Sequence, residues 1–279
     1  MNLTRVGVLY NARIPEARAL TRQVVAWLEG RVEHVDGCPI DDAPGALCLS
    51  EIDLLVTLGG DGSLLQAARL TALHHVLILG INLGRVGFLT EAETGEWEEV
   101  LSCALAGGYW VEERMMLRVT SWRGEHMMSE TDALNDAVVG RGSRGRAVHL
   151  RADVDGGELA TYVADGLITA TPTGSTAYAL AAGGPILPPQ LRNILLVPVA
   201  PHLSMERPIV LAEGVTVRIT VVGRRPAVLM VDGQAEAALE YRDVVQVEAS
   251  THAARFARVR ERTYFYKTLV KRLVPRTED

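Results

Sequence analysis

Two short, almost wholly apolar runs, Leu54-Leu55-Val56-Thr57-Leu58 and Val76-Leu77-Ile78-Leu79-Gly80-Ile81, stand on either side of a helix-patterned stretch from Leu64 to Leu73. A strand that is apolar at nearly every position has both faces covered, which is the condition of a strand inside a parallel sheet flanked by helices. Val6-Gly7-Val8-Leu9-Tyr10 repeats the pattern, followed by a helical stretch that Pro15 opens and that ends near Gly30. The amino-terminal part is therefore expected to be an α/β domain built on a parallel sheet.

After about Arg114 the pattern changes to short strands with period-two alternation, clearest in Val215-Thr216-Val217-Arg218-Ile219-Thr220-Val221. Asp155-Gly156-Gly157 and Asp232-Gly233 lie between such runs and supply the positive φ angles of tight turns. A helix is expected from Ser175 to Ala182, between Pro172-Thr173-Gly174 and Gly183-Gly184-Pro185, and a terminal amphipathic helix from Tyr264 to Leu273. The expected division is an α/β domain over 1–114, to which 262–279 is a candidate addition, and a mostly β domain over 115–261.

Composition narrows the function classes. A net charge of −6 and a pI near 5.7 give no positive field for nucleic acid or an anionic membrane. No apolar run reaches the roughly 18 residues of a membrane span, and the first residues lead into a strand rather than a signal peptide, so a cytoplasmic protein is expected. Cys38, Cys48 and Cys103 are odd in number without CxxC spacing, and are expected to be reduced and structural. A phosphate-bearing ligand must then be held locally, by backbone amides, a metal ion or a few cationic side chains.

Three segments carry chemistry. Gly59-Gly60-Asp61-Gly62-Ser63 lies at the carboxyl end of an expected strand and before a helix, where open α/β sheets bind ligands. Its glycines suit a sharp turn and amide contacts with phosphate, and Asp61 alone among these residues can act on a proton or a metal. The structural alternative is a tight turn in which Asp61 caps the helix. The pattern is neither a P-loop nor the GxGxxG fingerprint. The second segment, Asp165 to Pro185, is crowded with small and hydroxyl residues that would let a ligand lie against the backbone; close helix packing explains the alanines but not the hydroxyls. The third is Asn135-Asp136, an amide beside a carboxylate that can accept hydrogen bonds from ribose hydroxyls, or equally a simple turn.

Together these segments resemble the NAD kinase family, from the first strand to about Gln234. The Asp165 to Pro185 run is the most specific part; the glycine loop is shared in kind with lipid kinases and phosphofructokinases, and Gly80-Ile81-Asn82-Leu83-Gly84-Arg85-Val86-Gly87-Phe88-Leu89 is similar to a family segment that follows it. The resemblance implies an amino-terminal α/β domain, a β-rich carboxyl-terminal domain, a terminal segment returning to the first domain, NAD bound between the domains, and a homo-oligomer, dimer or tetramer.

It further implies that Asp61 is the catalytic aspartate with Gly62 beside it, that Gly59, Gly60, Gly62 and Ser63 form the phosphate-donor loop, and that Asn135 and Asp136 hold the ribose. Arg146, Asp165, Thr176, Ala177, Tyr178, Ala179, Leu180, Ala181 and Gln234 match its other NAD contacts. The implied reaction moves a phosphoryl group from ATP or polyphosphate to the 2′-hydroxyl of NAD, with Mg²⁺ or another divalent metal arriving through donor phosphates. Ser63 stands where Thr is common, Asp136 where Glu is usual and Ala181 where many members carry Ser. A lipid kinase and a non-catalytic NAD or NADP sensor are the rival readings; the polar run from Thr171 to Gly184 disfavours the first and Asp61 the second.

Overall fold

The computed structural model describes residues 3–84, 87–142, 146–202 and 205–273. The chain divides into two compact units, one running up to Glu113 and resuming at Ala254, the other spanning Arg114–Ala253.

In the first unit four parallel strands lie in the order His34–Pro39, Arg5–Tyr10, Leu54–Gly59, Leu77–Asn82, with the two-residue strand Ala92–Glu93 parallel beside the last. Leu54–Gly59 and Leu77–Asn82 are buried at every position, which is why their sequences are apolar at nearly every position. One side of this sheet buries Val6, Val8, Leu54, Val56, Leu58, Leu79 and Ile81 against the apolar stripes of the helices Ala17–Leu28 and Trp97–Leu105. The helix Asp61–Thr71 packs Leu64 over Gly80, so closely that a Cβ at Gly80 would lie 2.7 Å from the leucine Cδ1. Full burial of a leucine is worth about 1.5–3 kcal/mol, and at this contact glycine is what permits it.

The terminal helix Tyr264–Leu273 belongs to the first unit, as does the end of the long strand Val244–Arg258, whose Arg255 and Phe256 pair in parallel with Leu77 and Ile78. The chain returns to the first unit at Ala254, before residue 262, where the candidate addition to the first domain was expected to begin. Residues 274–279 of the expected return lie outside the described ones.

The second unit is β-rich. One antiparallel sheet has the order Ile209–Ala212, Asn193–Val199, Gly166–Ala170, Asp136–Arg141, Ala227–Val231, Gln234–Leu239. A second set of antiparallel strands runs Gly157–Ala164, Val148–Val154, Val217–Val221 and Val244 onward, and Trp110–Arg123 forms a hairpin with His126–Ala133. Both sets contribute to one core, with Val139, Leu167, Leu196 and Leu229 meeting Leu150, Ile219 and Val245.

Val217, Ile219 and Val221 are buried while Arg218 and Thr220 are not, the half-buried alternation read in the sequence. Asp155-Gly156 and Asp232-Gly233 form two-residue hairpin loops, with φ of 50° and 81° in the first and 47° and 77° in the second. Gly157 belongs to the strand after its turn. The expected helix from Ser175 to Ala182 is not continuous: a 3₁₀ turn, Gly174–Thr176, is separated from a single α-turn, Tyr178–Ala181, by Ala177 at φ −104° and ψ −127°. Among the described residues no helix is long and apolar enough to cross a membrane.

Candidate functional site

The sequence-marked residues fall into both units, and each set is built from its own surroundings. In the first unit the strand Leu54–Gly59 ends at the glycine loop and the helix begins at Asp61, three residues before the apolar pattern announces it at Leu64. None of Gly59, Gly60 or Gly62 has a positive φ, so the loop does not need glycine for a left-handed turn. Gly59 is required by contact: a Cβ there would meet Ser63 Oγ at 2.3 Å. At Gly60 and Gly62 a Cβ would meet nothing within 4 Å, so these two present bare backbone to open space at a helix amino terminus. Ser63 is buried, its hydroxyl turned toward Gly59, and its backbone amide donates to Gly60 O at 3.0 Å.

Asp61 does not cap its helix. Gly60 is the N-cap and no side chain caps the end. Instead Asp61 Oδ2 accepts the amide of Phe88 at 2.9 Å and Oδ1 that of Leu89 at 3.1 Å. Gly87 makes room for this grip, since a Cβ there would lie 1.9 Å from Oδ1. The loops are tied together again where Leu83 N–H donates to Gly59 O at 3.3 Å, and Asn82 closes a local turn on Gly84 through two hydrogen bonds of 3.0 and 3.2 Å. Arg85 and Val86 of this segment lie outside the described residues.

In the second unit Asn135-Asp136 opens a central strand, and its backbone is held from two directions. The Asp232 carboxylate accepts the amides of Leu134, Asn135 and Asp136 at 3.0, 2.7 and 3.2 Å. On the other side Thr171 N–H donates to Asn135 O at 2.9 Å and Thr171 Oγ1 to Leu134 O at 2.6 Å. Asp232 was legible only as a turn residue, although its turn position is what aims its carboxylate at these amides.

The hydroxyl cluster of the Asp165 to Pro185 run has a local structural use that the sequence did not show. Thr171, Thr173 and Ser175 are buried, and their hydroxyls serve the loop itself. Ser175 Oγ donates to Pro172 O at 2.6 Å and accepts Leu187 N–H at 2.9 Å, while Thr173 Oγ1 accepts from the buried Arg114 at 3.2 Å. Thr176 Oγ1 donates to Thr173 O at 3.1 Å. The run therefore builds a rigid backbone shelf.

What that shelf exposes is Tyr178, 44% accessible, and Ala181, with Ala177 and Leu180 half-buried and Ala179 buried. Tyr178 is thus not packed as an ordinary helix-core residue. Asp165, half-buried, pairs with Arg141 at 3.3 Å, an ion pair that nothing in the sequence announced. Arg146 and Gln234 are exposed.

Asp136 is the electrostatically unusual member. Only 5% exposed, its carboxyl is pushed up to about 7, first by burial and second by the negative charge of Asp232. Folded protein thus keeps this proton while unfolded chain loses it in the ordinary carboxylate range. The stability that the proton confers is present at acid pH and is lost as pH rises from that range through about 7. Asp136→Asn removes this slope. Compared by urea unfolding, the variant should gain on the native protein by a few kcal/mol, in order of magnitude, between about pH 5 and pH 8. A difference that is flat with pH would mean that Asp136 is ionised throughout.

Comparison with known proteins now adds to the geometry. Residues 41–109 match the ATP-NAD kinase N-terminal domain model and residues 134–259 the ATP-NAD kinase C-terminal domain model. The NAD kinase of Heliobacterium modesticaldum is 41% identical over 270 residues, covering 93% of this chain and 95% of its own.

This chain belongs to the NAD kinase family.

The NAD kinase of Chloroflexus aurantiacus is 39% identical over 272 residues, with 97% of this chain and 99% of that one covered. An NAD kinase from Archaeoglobus fulgidus, solved in complex with ATP, superposes with a TM-score of 0.76 at 27% identity over 96% of this chain and 98% of that chain. Yeast NADH kinase complexed with NADH shares the fold, with a TM-score of 0.86 at 24% identity, covering 100% of this chain and 89% of that one. Within this family of enzymes, the N-terminal match falls inside the α/β unit with its parallel sheet, and the C-terminal match covers most of the β-rich unit and runs on into the returning end of the last strand.

Proposed function

We propose that this chain transfers the γ-phosphoryl group of ATP, or of another phosphoryl donor such as polyphosphate, to the adenosine-ribose 2′-hydroxyl of NAD. The observation that carries the reading is the fixed Asp61 carboxylate beside the bare backbone of Gly60 and Gly62, in a chain of this family. Phosphoryl transfer relies mainly on positioning and charge neutralisation, which amides at a helix amino terminus supply to donor phosphates. In the transfer the 2′-oxygen bonds to the γ-phosphorus, the bond to the bridging β–γ oxygen breaks with that oxygen leaving on the diphosphate, and Asp61 takes the hydroxyl proton. Asn135 and Asp136 orient the ribose; Asp165, Arg146, the Thr176 to Ala181 shelf and Gln234 complete the NAD contacts.

A divalent cation, Mg²⁺ in the first instance, belongs to the reading as a neutraliser of donor phosphates. Its place would be on the donor phosphates, whose charge it would neutralise; among the described residues no three His, Cys, Asp or Glu side chains gather into a cation cage. The ATP complex of the Archaeoglobus relative supports a nucleoside triphosphate donor. Action in the cytoplasm as a homo-oligomer is part of the same proposal.

Incubating the purified protein with Mg²⁺, each donor and each acceptor, and identifying the product by mass spectrometry, tests the function. NADP formed from NAD is the expected result; no phosphorylated dinucleotide with any donor would leave the sensor reading in its place. Asn135→Ala, which removes a neutral partner, should weaken NAD binding by about 0.5–1.5 kcal/mol, and Asp136→Ala by about 1.5–3 kcal/mol above about pH 7, where its carboxyl is ionised. Unchanged calorimetric affinity in both folded variants would reduce the pair to a turn.

A further inference from the structure

The buried ionic cluster of the first unit has no part in the function as proposed, yet it holds the segment whose amides bond to Asp61. Arg258 is 0% exposed, with Nε on Glu112 Oε2 at 2.8 Å and Nη1 on Glu91 Oε2 at 3.1 Å. Its guanidinium is covered by the rings of Phe256 and Tyr264, each 4.9 Å away. The second oxygen of Glu91 accepts the amides of Val259 and Arg260 at 2.8 and 2.6 Å. Buried ion clusters of this kind are often no more stabilising than apolar side chains of the same volume. What apolar side chains cannot do is hold a carbonyl, and this cluster holds one: Arg258 Nη1 donates to Leu89 O at 2.7 Å. Beside it the Tyr264 hydroxyl donates to Phe88 O at 3.2 Å, longer than a usual hydroxyl bond.

Phe88 and Leu89 are the residues whose amides grip Asp61. The carbonyl of Phe88 and the amide of Leu89 belong to one planar peptide group, which turns as a unit. Tyr264 holds one end of that plane and the Asp61 carboxylate accepts from the other, so each bond orients and polarises the next. We infer that Arg258 and Tyr264, from the carboxyl-terminal part of the chain, are positioning residues that set the Asp61 carboxylate through the Phe88–Leu89 backbone. The inference rests on the reading that Asp61 takes part in turnover.

The test is a double-mutant cycle with NAD and ATP as substrates. Tyr264→Phe removes the hydroxyl and keeps the ring over Arg258; it should lower kcat about 3–10-fold with both KM values within about twofold of native. In an Asp61→Asn background the same change should alter the residual kcat by less than about twofold, because a carboxylate already lost cannot be mispositioned. Arg258→Lys keeps the charge but cannot hold Glu112 and Leu89 O with one fork, and is read in the same way; if it does not fold, Tyr264→Phe decides alone. Native kcat in Tyr264→Phe, or a full additional loss in the Asp61→Asn background, would overturn the positioning role while leaving Asp61 in the mechanism. Native turnover in Asp61→Asn alone would instead remove Asp61 from the mechanism, and the inference with it.

Discussion

Asp61→Asn is expected to lower turnover by roughly 10²–10⁴, the usual contribution of a general base, with NAD affinity close to native. The geometry sharpens what the variant does. Both carboxylate oxygens accept backbone amides, so an amide side chain must set its NH₂ group against the N–H of Phe88 or Leu89. One hydrogen bond is lost and two donors face each other, a local cost of about 1–3 kcal/mol. Turnover and unfolding free energy should therefore be measured on the same preparation. A loss of turnover far beyond what the unfolded fraction explains assigns Asp61 to the chemistry. Should the rate recover as Mg²⁺ is raised, the carboxylate serves the metal rather than the proton. Native turnover at ordinary Mg²⁺ would return the glycine loop to a structural role. Helix capping is no longer a competing explanation, because Gly60 is the N-cap and the Asp61 side chain bonds elsewhere.

The strands of the first unit were legible because burial on both faces leaves a local mark, an apolar residue at nearly every position. The period-two strand Val217–Val221 and the Asp-Gly hairpins were legible for the same reason: their signal lies within a few residues. The start of the helix at Asp61 was not, since its first turn is glycine and serine and carries no apolar period. Contacts between distant residues left no local trace. Asp61 meets Phe88 across 27 positions, and Asn135 meets Asp232 across 97.

Residue type also misled where two physical causes select the same side chains. Threonine and serine were read only as donors and acceptors for a ligand, whereas Thr171, Ser175 and Thr176 also donate to the backbone of their own loop or of Leu134. Glycine was read as conformational freedom at Gly59, where the structure shows a steric demand, and Gly87 was read only as part of a family-like segment, although a Cβ there would strike the Asp61 carboxylate. In both cases the cause is a neighbour brought near by the fold, which a single sequence does not display.

Gly174→Ala tests that steric demand where it is most severe. A Cβ at Gly174 would lie 2.1 Å from Asn135 O, 2.6 Å from its carbonyl carbon and 2.9 Å from its Cα, all of them backbone atoms. A flexible side chain could swing aside; this backbone is pinned. Asp232 holds the amides of residues 134–136, and Thr171 holds the carbonyls of Leu134 and Asn135. Gly174 itself is tied by its amide to Thr171 Oγ1 at 3.1 Å. Relieving the clash means breaking one of these sets, so the variant should lose about 3 kcal/mol or more, the upper range of overpacking. Moving Asn135 should also weaken NAD binding at least about tenfold, since a ribose contact displaced by an ångström is lost as a hydrogen bond. Gly60→Ala is the control: its backbone is extended, at φ −103° and ψ −171°, and an added Cβ meets nothing within 4 Å, so its unfolding free energy should stay near native. Chemical unfolding and calorimetry on both variants decide the matter. Native stability and NAD affinity in Gly174→Ala would mean that the shelf can move away from Asn135 and does not fix the pair proposed to hold the ribose.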